Sequence, residues 1–180
     1  MSDKVIIFVA LSVIVMLMVG TATRLSGPQS VPTLTVDRLV KSEPPRPLPS
    51  LGQPQGRPAV VAFWASWCTP CARELPTIAR FRASAEKAGV SVLTVSVDKD
   101  GQPAAERFLA QNNLTGLPMV TDPDNALAKA AGVKGLPTAL ILNDKGEEVA
   151  RIEGESDWDA GNALDTVAQL VRPAVEAPVR

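Results

Sequence analysis

The sequence predicts an α/β fold, a central mixed sheet flanked by helices with an inserted helix/strand unit, after an N-terminal transmembrane helix. Three observations predict it. The apolar run Ala59-Val60-Val61-Ala62-Phe63-Trp64 leads directly into a segment of helical spacing. Strand and helix patterns then alternate as far as Arg172 and close with a hairpin and a last helix. Near the start, Val5 to Thr23 runs for 19 residues without a charge.

That first segment is dominated by Val, Ile, Leu and Met, and it approaches the roughly 20 residues that span a bilayer. It exceeds the apolar core of a secretory signal, about 7–15 residues, although Gly20-Thr21-Ala22 offers a small-residue cleavage site. A single-pass anchor over residues 1–23 is the expectation, with a cleaved signal or a buried core helix as the alternatives. No cysteine follows the apolar run, which excludes a lipid-modified one. Lys4 is offset by Asp3 and faced by Arg24, so positive-inside counting gives little orientation. Residues 24–57 read as a linker. Arg24 to Pro58 holds 8 of the 16 prolines, a composition that favours extended polyproline II and a semi-rigid spacer. The stretch best suited to pack instead as an added edge strand is Leu34 to Val40.

The folded domain is expected over residues 58–172, with 173–180 as a tail. Ala59–Trp64 reads as a strand buried on both faces. Leu75, Ile78, Ala79 and Ala85 then recur at helical spacing to about Lys87, with Pro76 inside the helix and expected to kink it. Val90–Val97 is a second strand, and Asp98-Lys99-Asp100-Gly101 a turn. A helix over Pro103–Gln111 and a short added strand over Leu117–Thr121 follow. Asp122-Pro123 supplies an N-cap with proline at the first helical position, and Gly132 ends that helix. Thr138–Leu142 and Glu148–Ile152 are strands joined by Asn143-Asp144-Lys145-Gly146, a hairpin signal. Ser156-x-x-Asp159 reads as a capping box. Beyond it Ala160, Leu164, Val167, Ala168 and Val171 form a stripe suited to core packing, and Pro173 stops the helix. There is no internal repeat.

Between the first domain strand and its helix lies Trp67-Cys68-Thr69-Pro70-Cys71, which holds both cysteines of the chain. A structural zinc site needs four ligands, usually Cys and His; with 2 Cys and 0 His only carboxylates could complete one. A purely structural disulfide is the second alternative, but so short a loop constrains little unfolded-state entropy. A redox-active dithiol fits the position. Cys68 would lie at a helix N-terminus, where free backbone N–H groups and the helix dipole favour a thiolate. Cys71 would sit one turn further and be shielded. Cys68 is thus the attacking thiol and Cys71 the resolving one. The net charge of -1 gives no basic patch for nucleic acid. Nothing calls for a metal or a cofactor, and a monomer is expected.

Three separated stretches, Phe63-Trp64-Ala65-Ser66-Trp67-Cys68-Thr69-Pro70-Cys71, then Glu74-Leu75-Pro76, then Gly132-Val133-Lys134-Gly135-Leu136-Pro137-Thr138, occur in an order that resembles the thioredoxin superfamily. The match is greatest to its membrane-anchored TlpA/ResA branch of bacterial thiol-disulfide reductases, and covers about residues 58–172. Glu155-Ser156-Asp157-Trp158 is similar to that branch as well. The resemblance implies a thioredoxin-like fold and a protein-disulfide reductase. It implies a cis bond at Pro137 facing the dithiol, against an ordinary trans proline at a strand start. It further implies that Trp67, Thr69, Pro70, Leu136 and Pro137 meet the substrate, with the Leu136 backbone free to pair with it; core filling is the alternative for Trp67. Many thioredoxins carry a buried acid in the strand before the motif, and it would fall at Ala62. The branch instead places a Glu at the position of Glu74, where it would take the Cys71 proton. The alternative is a solvated helix residue paired with Arg73 or Arg80.

The implied setting is the cytoplasmic (inner) membrane, with the catalytic domain in the periplasm. The implied partners are client proteins with disulfides, namely apocytochrome c or copper-chaperone and oxidase subunits, and a membrane electron donor of the DsbD/CcdA kind. The neutral Thr69-Pro70 pair leans toward a reducing dithiol. A disulfide-donating oxidase, a thiol peroxidase and a non-catalytic redox sensor or tethered binding module are the competing functions.

Overall fold

The computed structural model describes residues 39–47 and 56–172. Six strands, β1 (Leu39–Pro47), β2 (Ala59–Trp64), β3 (Ser91–Ser96), β4 (Met119–Thr121), β5 (Thr138–Leu142) and β6 (Glu147–Glu153), make one sheet in the order β1-β6-β5-β2-β3-β4. Among the described residues four helices accompany them: α1 (Thr69–Lys87), α2 (Gln102–Gln111), α3 (Ala126–Ala130) and α4 (Ala163–Val171). The mixed α/β sheet is the one expected. β2, β3 and β4 run parallel, whereas β5 lies antiparallel to β2 and β6 antiparallel to β5. β2 is central, and all six of its residues are buried, as are all five of β5. Strands covered on both faces are largely apolar, and that is why β2 reads as an unbroken apolar run and β5 as one from Ala139 onward.

α1 takes the bounds its spacing suggests, with Leu75, Ile78, Phe81 and Ala85 on its buried side and Pro76 inside it. The β5–β6 turn closes through Asn143, whose Oδ1 accepts from the N–H groups of Lys145 and Glu147. Gly146 there takes a positive φ of 76°. The apolar stripe of α4 packs on the core through Ala163 and Val167, with Leu164, Leu170 and Val171 beside them.

Three local readings need correction. An added edge strand is present at Leu39–Pro47, within the proline-rich stretch read as a spacer, and pairs antiparallel with β6; it contains Leu39 and Val40 of the expected Leu34–Val40, and residues 34–38 lie outside the described residues. The pairing steps between Lys41 and Arg46, which places Ser42 to Pro45 at the irregularity where prolines are tolerated. α3 starts at Ala126, after Asn125 in the left-handed region, so Pro123 is not its first residue. Asp122 still serves that helix, because its Oδ2 accepts from the Ala128 N–H at 2.9 Å. Ser156 caps nothing: α4 begins seven residues later, with Asn162 at its N-cap. The Ser156 hydroxyl is buried and finds no partner among the described residues. The segment 1–23 expected to cross a membrane and the tail 173–180 lie outside the described residues. Within the described residues no helix is long and apolar enough to cross a membrane.

One buried charge cluster ties β1 and β6 to the end of α3. Glu148 is fully buried in β6. Arg46 of β1 meets its Oε2 at 2.5 Å, and Arg151 meets its Oε1 at 2.6 Å. Burial alone would raise the Glu148 carboxyl pKa. The hydrogen bonds and charges of Arg151 and Arg46 more than reverse that and hold it below the ordinary carboxylate range. A depressed folded-state value stabilises the fold above the unfolded carboxylate pKa, and this contribution is lost as pH falls through the folded value. Chemical unfolding followed from pH 7 down to pH 3 should therefore show the natural chain losing stability more steeply than Glu148→Gln. Equal slopes would mean that the cluster does not contribute in this way.

Candidate active site

β2 ends at Trp64, and Ala65, Ser66 and Trp67 turn the chain into α1. The turn is held from β3. Ser66 donates to the Asp98 carboxylate through its N–H, at 3.0 and 3.1 Å, and through its hydroxyl at 2.7 Å. Ser96 Oγ donates to the same carboxylate at 2.8 Å. Asp98 is buried at 3% exposure. A carboxylate removed from water in this way needs several donors, and here those donors come from the approach to the cysteine motif.

Cys68 is the N-cap residue of α1 and Cys71 lies in its first turn. They are joined by a disulfide with S–S 2.05 Å and Cα–Cα 5.2 Å. The Cys71 N–H donates to Cys68 Sγ at 3.3 Å, so the sulfur occupies the place of a capping oxygen. A groove of about 490 Å³ opens beside it. Trp67, Cys68, Thr69 and Pro70 form one bank, and Val133, Lys134, Gly135 and Leu136 the other. Cys71 is fully buried and does not reach the groove. Trp67 stands 69% exposed, which removes the core-filling reading. The Leu136–Pro137 bond is cis. Thr138 Oγ1 donates to Gly135 O at 2.8 Å, and the Gly154 N–H to Pro137 O at 2.8 Å. The backbone of Leu136 has no hydrogen-bond partner among the described residues. Of the five residues expected to meet the substrate, Trp67, Thr69, Pro70 and Leu136 line the groove with Cys68, and Pro137 follows Leu136 in the chain.

Glu74 follows Cys71 by three residues in α1, a spacing that puts both on one helix face. Its side chain is buried at 3% exposure. Oε1 accepts from Trp158 Nε1 at 2.9 Å and from the Ser156 N–H at 3.2 Å. The neighbouring arginines point elsewhere: Arg73 pairs with Glu155 and Arg80 with Asp159. The solvated-helix reading of Glu74 is therefore wrong, and Glu155-Ser156-Asp157-Trp158 is the segment that covers it. Ala62, at 2% exposure in β2, leaves the strand without an acid. No group of three or more Cys, Asp or Glu side chains placed to hold a metal exists among the described residues.

The Redoxin family model matches residues 29–170. The chain belongs to the Redoxin family. This redoxin is 35% identical over 95 residues to the sporulation thiol-disulfide oxidoreductase A of Bacillus subtilis, an alignment covering 52% of this chain and 57% of that one. It is 33% identical over 102 residues to the thiol-disulfide oxidoreductase ResA of Geobacillus thermodenitrificans, covering 56% of each. It thus spans little more than half the length of the curated relatives it matches. Among solved structures it is similar to StoA of Bacillus subtilis, with TM-score 0.54, 28% identity and 66% of this chain on 84% of that one. It is also similar to the pneumococcal exposed lipoprotein thioredoxin of Streptococcus pneumoniae, with TM-score 0.56, 26% identity and 64% on 86%. The thioredoxin-like fold and the ResA-like resemblance drawn from the motifs both stand.

Sequence reasoning missed two sites in this redoxin. Asp98 looked like a turn residue. The signal available was its place at the end of the strand beside β2, where Trp64 pairs with Ser96. The Arg46–Glu148–Arg151 cluster gave no signal, because Arg46 lies 102 positions from Glu148 in the chain.

Proposed function

We propose that this redoxin is a protein thiol-disulfide oxidoreductase working as a reductase of client disulfides. One observation carries the reading: the Cys68–Cys71 disulfide sits at the head of α1, with Cys68 on the groove that Leu136 also lines and Cys71 buried. In the dithiol form the Cys68 thiolate attacks one sulfur of a client disulfide and forms a Cys68–client bond, releasing the other client sulfur as a thiolate. The Cys71 N–H and the end of α1 favour negative charge at Cys68. Glu74 takes the Cys71 proton. The Cys71 thiolate then attacks Cys68 Sγ, forms the observed disulfide and expels the second client thiolate. Two electrons pass from the enzyme to the client.

The relatives named thiol-disulfide oxidoreductases support this activity. The uncharged stretch Val5–Thr23 supports a single-pass anchor in the cytoplasmic membrane, and the domain's disulfide chemistry supports a place in the periplasm. That compartment is kept oxidising, so a membrane electron donor of the DsbD/CcdA kind returns the protein to its dithiol. Apocytochrome c, or copper-chaperone and oxidase subunits, are the clients proposed, and the protein acts as a monomer. The reading is tested by expressing Cys71→Ser in the native envelope, trapping the Cys68 mixed disulfide and identifying its partner by mass spectrometry. Partners that normally leave reduced are expected. Capture of proteins that normally leave oxidised would assign the reverse reaction, a disulfide-donating oxidase.

A further inference from the structure

We infer that Arg46 and Arg151, joined through Glu148, are positioning residues for the groove loop Val133–Leu136. The inference rests on the client-reductase reading above. Both guanidinium groups reach past Glu148 to the end of α3. Arg46 Nη2 donates to Ala131 O at 2.6 Å. Arg151 donates to Ala131 O at 2.9 Å and to Gly132 O at 3.1 Å. The last carbonyls of a helix have no partner within it, and these two are taken by cations, as the helix dipole favours. The chain leaves α3 through Gly132, whose φ of +65° lies in the region glycine tolerates. A Cβ there would come within 3.5 Å of Arg46 Nη1. The next residue, Val133, begins the groove bank. The far end of the loop is fixed by the bond from Gly154 to Pro137 O. The two arginine forks therefore set where the loop departs, and with it where the unpaired Leu136 backbone stands relative to Cys68.

Stability alone is a weak reason for this arrangement. A buried ion pair gains little over apolar packing once desolvation is counted. What two planar forks on one carboxylate add is fixed geometry. Neither arginine lines the groove, so both act through the loop.

The test uses the full chain with Arg46→Met and Arg151→Lys. Lysine keeps the charge but cannot bond Glu148, Ala131 and Gly132 together. Insulin reduction driven by dithiothreitol gives KM and kcat for a protein disulfide. The rate of the reduced protein with the small disulfide 5,5′-dithiobis(2-nitrobenzoic acid) reports Cys68 without the loop. The KM for insulin is expected to rise about fivefold to tenfold in each variant, the scale of losing one ordinary hydrogen bond. kcat and the small-disulfide rate should stay within about twofold, the window open to residues that do not touch the reacting sulfurs. An unchanged insulin KM in both folded variants, or an equal loss with both substrates, would overturn the inference. A natural chain inactive with both substrates would overturn the reductase reading and this inference with it.

Discussion

Cys68→Ser is expected to reduce insulin turnover by more than about a thousandfold, the scale on which loss of an essential nucleophile registers. A serine hydroxyl forms no thiolate-like nucleophile at neutral pH and cannot bond covalently to a client sulfur. The fold should barely change, since the substitution is nearly isosteric and the serine oxygen can still accept from the Cys71 N–H at the α1 N-cap. Cys71→Ser gives the complementary result. It retains the first attack and stalls at the Cys68 mixed disulfide, because the buried second sulfur is the one that would release the client. Stopped-flow mixing with a chromogenic disulfide separates the two: a burst of one equivalent for Cys71→Ser and no burst for Cys68→Ser. A burst from Cys68→Ser would reverse the assigned order of attack.

Glu74→Gln should slow the resolving step by about 10²-fold, the low end of what a positioned general base contributes. The first attack should remain intact, because the role proposed for Glu74 is on Cys71. The amide keeps an oxygen for Trp158 Nε1 and the Ser156 N–H, so stability should move little. Glu74→Ala would remove the acceptor from two buried donors and cost about 1–3 kcal/mol for each. The distinguishing measurement is the pH dependence of mixed-disulfide decay in a single turnover. In the natural chain the decay should depend on Glu74 ionisation, and in Glu74→Gln that dependence should vanish. An unchanged rate and pH profile would leave Glu74 as a fold-stabilising residue only.

The parts of the fold legible in the sequence were those governed by local periodicity and chain punctuation. β2 is apolar throughout, and β5 from Ala139 onward, because both faces are covered, and α1 shows its spacing over 19 residues. The site was legible for a related reason. Cys68, Cys71 and Glu74 fall at three-residue spacing at the head of one helix, and Pro137 carries its own backbone constraint. What could not be read depends on partners remote in the chain. The start of α3 is set by Asp122 reaching Ala128 from outside the helix, and by Asn125 adopting a left-handed conformation, not by the Asp-Pro pair. Ser156-x-x-Asp159 has the letters of a capping box, but the Ser156 N–H goes to Glu74, 82 positions away. β1 was obscured because proline composition argues for a free spacer, whereas pairing with β6 needs only a few N–H groups on an edge. The anionic side of Glu148 is likewise invisible until β1 and β6 lie together.

The placement of β1 and β4 at the two ends of the sheet bears on how the molecule avoids itself. An open sheet edge offers a row of unpaired backbone groups to any passing strand, a route to aggregation. One edge here is β1, where Pro44, Pro45 and Pro47 have no N–H to donate. The other is β4, only three residues long. Both margins are poor templates for strand addition. The described sheet edges therefore offer little to an extended segment arriving from solvent, and under the proposed reading such a segment is left to meet the chain at Leu136, on the groove that Cys68 lines.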